Sequence, residues 1–483
     1  MAPGELAAIL PAALLAAWAC VLLIVDLFVP VRRRGITAGL TAVAIVTAMV
    51  ALGLLAGGQA TPPGSMVVAD GPGAFFQMIL LVGGLFGVAL AFDYIRRTDI
   101  ERGEYYILLL FSLAGMLLLT IASDLVMVFL GLELLSIPLY VLAGFALPKA
   151  DSEESALKYF LLGAFSSSFI VFGIALTYGA TGTTQLYAVA EQVLAGQADL
   201  PLLVVGALMV LVSLAFKVAV VPFHMWTPDV YQGAPTSVVA FMTVGSKVAG
   251  FAVLLRVLTA AFPGLSPYWT QVAVWISALT MIWGNVAAVG QANIKRMLAY
   301  SAIAHAGYVF MAVPAAAVPG LTSQAYSAAL FYLLAYSLTS LGAWGVVLAV
   351  EHSQGGGTEV EDFAGLGSRR PLLAAAMTIF MLSLTGVPPT FGFMAKFVLF
   401  QTAIEANLIG LALIGVLTTL VSAYYYLRVV VNMYMRSGLP EVRAERWLNI
   451  TIGAMAVAVV VFGLLPQPIL QVAYRAGLAT FVP

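Results

Sequence analysis

Apolar residues in this chain run in blocks of about 20, the length a helix needs to cross a hydrocarbon core, with short polar or Gly/Pro-containing turns between them. Taken in order, the blocks predict about fourteen membrane-spanning helices, at residues 6–29, 36–57, 74–94, 105–121, 125–147, 156–179, 201–221, 236–261, 269–289, 298–316, 325–350, 372–402, 408–435 and 448–470. Two of the spans are interrupted. The seventh runs into Pro222-Phe223-His224-Met225-Trp226-Thr227-Pro228, and the twelfth contains Gly386-Val387-Pro388-Pro389-Thr390-Phe391-Gly392. Proline removes a backbone donor and clashes with the preceding turn, so spans 7 and 12 are predicted to be discontinuous at membrane depth. The first block has no basic leader and is too long for the apolar core of a signal peptide, so it reads as a retained helix. The longest stretches between blocks are 181–200 and 352–371. The first is amphipathic around Leu186–Leu194 and is expected to lie along the membrane surface. The second is a glycine-rich, acidic loop with no core of its own.

Composition agrees with a chain solvated by lipid. Of 483 residues, 62% are hydrophobic and 9% are charged, against about 25% charged in a soluble domain. Too few polar side chains remain to cover a surface in water. A net charge of −1 gives no reason to expect a nucleic-acid partner. The single cysteine, Cys20, excludes a disulfide framework or a Cys-ligated cluster within the chain. Gly355-Gly356-Gly357 has no helix-start context and does not read as a phosphate loop.

The basic residues alternate in a way that orients the spans. Arg32, Arg33 and Arg34 follow span 1, Arg96 and Arg97 follow span 3, and Lys149 follows span 5. Lys295 and Arg296 follow span 9, Arg369 and Arg370 follow span 11, and Arg436, Arg443 and Arg446 follow span 13. Loops after even-numbered spans have almost none. By the positive-inside rule the odd spans end in the cytoplasm, which puts both termini on the far side, periplasmic in a bacterium.

Against this background a few charges stand out. Three of the six lysines, Lys217, Lys247 and Lys396, fall inside apolar blocks, where each costs roughly 2.5–3.5 kcal/mol at a helix centre. Glu133 lies about nine residues into span 5, roughly 13 Å at the helical rise and so near the midplane. Burial disfavours the charged form of such groups and a nearby opposite charge restores it, so a buried Lys–Glu pair is poised between protonation states. Lysine suits this task better than arginine, which stays protonated. Proton transfer is therefore the expected chemistry, and the bland alternative is a set of structural ion pairs that glue helices together. His224, just past the Pro222 break, and His305, early in span 10, are candidate proton carriers. The alternative for each is a satisfied polar residue at a helix junction, and His305 is favoured as a carrier because it sits between the two lysine-bearing halves in sequence. Lys158 lies near the start of span 6 and is a possible relay or an interfacial, snorkelling lysine. Arg256 and Arg428 are expected to reach an interface, most Trp and Tyr residues to act as belt anchors, and Ser166-Ser167-Ser168 to allow close packing or to line a wet path.

These landmarks repeat. Spans 4–8, at 104–262, hold an acid in span 5 and a lysine in the broken span 7. Spans 9–13, at 268–436, hold a histidine in span 10 and a lysine in the broken span 12. Five is odd, so the second set starts on the opposite side of the membrane. The chain is thus expected to be one all-α membrane domain over 1–483: helices 1–3 at 1–97, two inverted five-helix repeats, and helix 14 at 448–470.

The segments from Phe216 to Thr236 (FKVAVVPFHMWTPDVYQGAPT), Asn293 to Tyr308 (NIKRMLAYSAIAHAGY) and Leu384 to Phe397 (LTGVPPTFGFMAKF) carry a resemblance. They are similar to signatures of the antiporter-like subunits of respiratory complex I, and the likeness extends over essentially the whole chain. Lys396 stands where a sister subunit is expected to hold glutamate. No long lateral helix follows span 14, and Gln232 stands where glutamate is usual. The resemblance implies that Glu133 pairs with Lys217, that Lys247 is a central relay, that His305 links the halves and that Lys396 is the terminal group. It implies a subunit of a proton-translocating NADH:quinone oxidoreductase in a bacterial inner membrane, with no redox centre of its own. NAD, FMN, iron–sulfur clusters and quinone would be bound by partner subunits. Its neighbours would be lipids and other membrane-arm subunits, the antiporter-like subunit M and small subunits such as K and J. Two other readings share the buried charges: a subunit of a multi-subunit cation/proton antiporter, and a scaffold subunit with no proton path.

Overall fold

Polar residues and prolines cut the apolar blocks into helices. The computed structural model describes residues 3–30, 35–55, 61–62, 64–352, 356–443 and 445–478. In chain order its α-helices are α1 (Pro3–Asp26), α2 (Gly35–Leu55), α3 (Gly71–Arg97), α4 (Glu104–Ile121), α5 (Leu125–Ala143), α6 (Ala150–Thr181) and α7 (Leu186–Leu194). Next come α8 (Leu200–Val218), α9 (Trp226–Gly233), α10 (Thr236–Ala260), α11 (Ser266–Val289), α12 (Ile294–Phe310), α13 (Ala312–Ala316) and α14 (Thr322–Val350). The chain continues through α15 (Leu366–Arg369), α16 (Pro371–Thr385), α17 (Phe391–Glu405), α18 (Ile409–Met435), α19 (Arg446–Leu464) and α20 (Gln467–Leu478). Among the described residues there is no β-strand, only isolated bridges.

Thirteen of the described helical stretches are long and apolar enough to cross a membrane. The twelfth expected span is divided into α16 and α17, fifteen residues each, on either side of 386–390. The surface helix expected around Leu186–Leu194 is α7. Several boundaries differ from the sequence reading by three to six residues, as where α6 begins at Ala150 and not at 156, and one difference conceals a separate helix. The last span ends at Leu464, and after Leu465-Pro466 the separate amphipathic helix α20 packs against α14 and α3. Proline cannot continue the helix, and the apolar Ile469-Leu470 had extended the block to 470 by composition alone. Arg32, Arg33, Arg34 and Gly355 lie outside the described residues.

Short polar side chains start the helices by accepting backbone N–H bonds that have no partner in the first turn. Asp70 caps α3, Asp124 caps α5, Asp199 caps α8 and Asn293 caps α12. Two of these caps share a further feature. Asp124 forms an isolated bridge with Gln185, just after α6, and Asn293 forms one with Glu359, after α14.

Burial is uneven. The most apolar stretch of α10 is 100% buried and those of α12–α13 and α14 are 94% buried, whereas that of α6 is only 28% buried. So α10, α12 and α14 form the interior where a charge must find protein partners, and α6 faces outward. Helix α6 nevertheless approaches α8 closely. A Cβ added to Gly173 would stand 2.9 Å from the Gly206 carbonyl oxygen, a contact that only small residues permit.

Both broken spans stop on a residue in the left-handed region. Helix α8 is followed by Ala219, with φ 62°, and α16 by Gly386, with φ 88°. Each break leaves helix-end carbonyl groups inside the protein.

Candidate functional site

The last carbonyls of a helix have no intrahelical donors and form the negative end of its dipole. The structure places lysines there. The Lys247 ammonium, on α10, donates to the Val218 carbonyl at the end of α8 (3.2 Å). The Lys396 ammonium, on α17, donates to the carbonyls of Leu384 (3.1 Å) and Thr385 (2.9 Å) at the end of α16. Both lysines are buried. The two breaks predicted from proline and the two lysines predicted from hydropathy are thus parts of the same constructions.

Lys396 has further contacts. It reaches the Thr419 hydroxyl at 3.3 Å and lies 4.7 Å from the centre of the Tyr308 ring. Thr419 in turn donates to the Tyr308 hydroxyl (3.3 Å). Asn285 donates to the same hydroxyl (3.1 Å) and accepts from Tyr425 (3.0 Å). The Tyr308 ring packs edge-on against His305, with centroids 5.7 Å apart. The His305 Nδ1 is hydrogen-bonded to Tyr332 (2.8 Å) and its Nε2 to Tyr426 (3.3 Å), which is bonded to Ser301. A polar network therefore joins Lys396 to Tyr308 and surrounds His305 with tyrosine hydroxyls.

Lys217 is different. It sits one residue before the end of α8, and its ammonium donates to the Ser136 hydroxyl on α5 (2.6 Å). The rings of Tyr159 and Tyr140 lie 5.8 and 6.0 Å from it, within cation–π range. Glu133 accepts from Ser167 of α6. Glu133 and Lys217 form no ion pair among the described residues. Ser136, one helical turn from Glu133, takes the ammonium instead. The expected Glu133–Lys217 pair is thus a through-space relationship with a serine beside it. Of the serine run on α6, Ser167 bonds Glu133, and Ser166 meets Ser213 of α8 at 3.1 Å.

Two sequence candidates stand apart from this network. His224 lies in the loop between α8 and α9 with its ring edge-on to Trp283. Lys158 belongs to an ionic cluster at the end of the bundle: it meets Glu154 (2.7 Å) and Asp229 (2.8 Å), and its side chain is 42% exposed. Arg296 completes the cluster, donating to Asp229 (2.8 Å) and to Gln232 (3.0 Å), so the glutamine at 232 has a definite contact.

The sequence reading missed other buried cations. Lys295 donates to the Ala234 carbonyl that closes α9 (3.0 Å) and faces Glu351 at 3.9 Å. Arg97 binds Glu445 (2.9 Å) and the Leu348 carbonyl near the end of α14 (2.7 Å). Arg256 and Arg428 were expected at an interface; Arg256 is buried and Arg428 is half-buried. Arg256 makes a bidentate pair with Asp70 (2.6 and 2.9 Å) and donates to the Thr120 carbonyl of α4. Arg428 donates to Val289 at the end of α11 and to Gln291. A tendency runs through these contacts: cations close helix C-termini. Lys295 and Arg97 looked like loop charges because each lies at a helix boundary in sequence, where burial is not legible. The aromatic residues also depart from expectation. Tyr159, Tyr231, Tyr308, Tyr425, Tyr426, Trp226 and Trp344 are fully buried, and Tyr159, Tyr308 and Tyr426 lie against Lys217, Lys396 and His305.

The fold and the site define a polytopic membrane protein with protonatable side chains buried at two helix breaks. A model of the family described as NADH:quinone oxidoreductase/Mrp antiporter, TM matches residues 122–422. NADH-quinone oxidoreductase subunit N of Chloroflexus aggregans is 45% identical, with 98% of this chain and 97% of that protein aligned. Subunit N 1 of Herpetosiphon aurantiacus is 46% identical over 94% of this chain and 93% of its own. A chain of respiratory complex I from Thermus thermophilus superposes with a TM-score of 0.82 at 34% identity, covering 96% of this chain and 99% of that one. A chain of the Mrp complex from Dietzia shares the fold at 22% identity, with a TM-score of 0.83 over 99% of this chain and 97% of that one. The chain belongs to the NADH:quinone oxidoreductase/Mrp antiporter transmembrane family, in the branch of NADH-quinone oxidoreductase subunit N.

Proposed function

We propose that this chain carries protons within a membrane-bound NADH-quinone oxidoreductase, through Glu133, Lys217, Lys247, His305 and Lys396. The observation that supports this best is the pair of helix breaks, each with a buried lysine on its exposed carbonyls. A lysine held by carbonyl dipoles is stabilised as a cation by the helix end and destabilised by burial. Opposing effects of that kind let a charge moving nearby shift the balance, so a group can take up or release a proton. The near-continuous bonds from Lys396 through Thr419 to Tyr308, and the tyrosines on His305, supply hydroxyls that can pass a proton onward. Lys217, with Ser136, Ser167 and Glu133, serves the other half in the same way.

In this reading the redox reaction occurs in other subunits, which hold NAD, FMN, iron–sulfur clusters and quinone, and this chain contributes translocation only. It sits in the bacterial inner membrane beside subunit M and small subunits such as K and J, with both termini periplasmic. The matching caps at Asp124 and Asn293, with their matching bridges, support two inverted repeats over 104–262 and 268–436. His224 and Lys158 lie off the path.

The test is a Lys217→Ala variant in membranes where assembly of the complex has been verified, with NADH-driven quinone reduction and proton pumping followed together. Loss of both with assembly intact is expected. Normal reduction with normal pumping would make Lys217 a structural residue and end this reading of the first half.

A further inference from the structure

Two loops meet at one end of the bundle. One leads from α14 through α15 into α16, and the other joins α18 to α19. They touch through backbone: a Cβ added to Gly365, which holds φ 74°, would stand 2.5 Å from the Gly438 carbonyl oxygen. Beside that contact lies an open cleft of about 700 Å³. The first loop contributes Arg369 and Arg370 to its lining, and the second contributes Leu439, Glu441 and Arg443. Backbone hydrogen bonds fix where these arginines start. The Arg370 N–H donates to the Leu366 carbonyl (2.8 Å), and the Arg443 N–H donates to the Ala349 carbonyl near the end of α14 (3.3 Å).

Inside the protein, cations such as Arg97, Arg256 and Lys295 face carboxylates. The cleft is different. Among the described residues, the side chains of Arg369, Arg370 and Arg443 make no ion pair and no hydrogen bond. Glu441, the carboxylate in the lining, faces His352 at 3.9 Å, and the nearby Arg436 faces Glu361 at 3.9 Å. Three arginines against one carboxylate leave an excess of positive charge, and a cleft lined by one sign of charge draws in the opposite ion. The planar guanidinium fork matches a phosphate in particular.

The position of the cleft narrows the choice of anion. Helix α16 begins at Pro371, α18 ends at Met435 and α19 begins at Arg446, so the cleft lies where spans meet the membrane boundary. Leu372, in the first turn of α16, is 87% exposed, and Leu439 is 76% exposed although it belongs to a loop and to the cleft lining. Trp447 is exposed at the same level, as an interfacial anchor is. A free phosphate or an acidic peptide would use the arginines and leave these leucines bare. A lipid with an anionic headgroup uses both, and basic pockets at the ends of spans suit such headgroups.

We propose that this cleft binds an anionic phospholipid, its phosphate held by Arg369, Arg370 and Arg443 and its acyl chains lying against Leu439 and Leu372. The lipid bridges the loops that lead into α16 and out of α18. Those helices supply the Leu384 and Thr385 carbonyls and the Thr419 hydroxyl around Lys396, so the lipid steadies the second break from outside it.

The experiment uses the whole assembled complex, purified in detergent, stripped of lipid and titrated with phosphatidylglycerol, phosphatidylcholine or inorganic phosphate. Melting temperature is read for the parent and for an Arg369→Gln/Arg370→Gln/Arg443→Gln variant. Phosphatidylglycerol is expected to raise the melting temperature of the parent at a severalfold lower concentration than that of the variant, and added salt should remove the difference. Without lipid the variant should melt no lower than the parent, because like charges have been removed. A cryo-EM map of the parent with phosphatidylglycerol is expected to show a phosphate among the three arginines and chains leading past Leu372. Should the triple variant fail to assemble, Arg443→Gln alone carries the same expectation. Equal responses of parent and variant to phosphatidylglycerol would overturn the proposal. So would an equal effect of phosphatidylcholine or of inorganic phosphate on the parent, or a cleft filled by a segment of a neighbouring subunit.

Discussion

The Lys247 ammonium stands 3.2 Å from the carbonyl oxygen of Val218, the last residue of α8. One contact thereby combines two tasks, closing a helix end and holding a protonatable group at the centre of the molecule. The tasks can be separated by substitution. Lys247→Met removes the donor and leaves a buried carbonyl unpaired, at a cost of about 1–3 kcal/mol. Lys247→Arg keeps a donor and a positive charge but cannot release a proton. The methionine variant is expected to lower both the melting temperature of the complex and its pumping. The arginine variant is expected to keep most of the stability and lose pumping. Thermal melting and proton pumping measured on both decide the matter, and an arginine variant that pumps normally would confine Lys247 to capping.

Gly386 makes a parallel case at the second break. Its φ of 88° lies in the left-handed region, and a Cβ there would stand 2.9 Å from Cδ of Lys396. Gly386→Ala should therefore cost roughly 1–2 kcal/mol in backbone strain and displace the Lys396 stem from the carbonyls of Leu384 and Thr385. Ala219 holds a similar φ of 62° at the first break, and Ala219→Gly there should relieve strain. The expected pair of outcomes is a less stable, poorly coupled complex for Gly386→Ala and an equally or more stable one for Ala219→Gly. Both are read by melting temperature and pumping.

The breaks and spans were legible because proline and apolar length act locally. Pro222 and Pro388 mark the discontinuities wherever the rest of the chain packs, and a block of apolar residues reads as a span whatever faces it. The role of each charge was not legible. Whether Lys295 is a loop charge or a buried cap depends on Ala234 lying opposite it, 61 residues away in sequence. Ser136 looked like an ordinary helix residue until Lys217 from another helix reached it. Helix α20 was hidden because its apolar face, needed to pack on α14, continues the composition of α19.

Arg256 and Asp70 form a buried bidentate pair that ties α10 to the start of α3. Removing one partner leaves an uncompensated charge in the interior, which costs roughly 3–5 kcal/mol, whereas replacing both with uncharged groups costs much less. Arg256→Met and Asp70→Asn are each expected to reduce the amount of assembled complex sharply. The double variant should recover most of it. The readout is complex abundance in membranes, and a double variant no better than the worse single one would show that the pair is needed as ions.

Asp229 joins Lys158 of α6 and Arg296 of α12 at 2.8 Å each, at one end of the bundle. Partial burial raises its carboxyl, but the hydrogen bonds and charges of Lys158 and Arg296 outweigh this and hold it below the ordinary value of 3.8. A carboxyl depressed on folding gives stability that is complete above its unfolded value and is lost as pH falls through the folded one. The tie among α6, α9 and α12 should thus be at full strength at neutral pH and weaken only below about pH 4. Asp229→Asn is expected to lower the melting temperature at pH 7, with the gap to the parent holding down to about pH 4 and narrowing below it. Because the cluster is partly solvated, added salt should narrow it as well. Melting curves at two pH values and two salt concentrations test this. A gap that stays constant with pH would mean that Asp229 acts through its shape and hydrogen bonds and not through its charge.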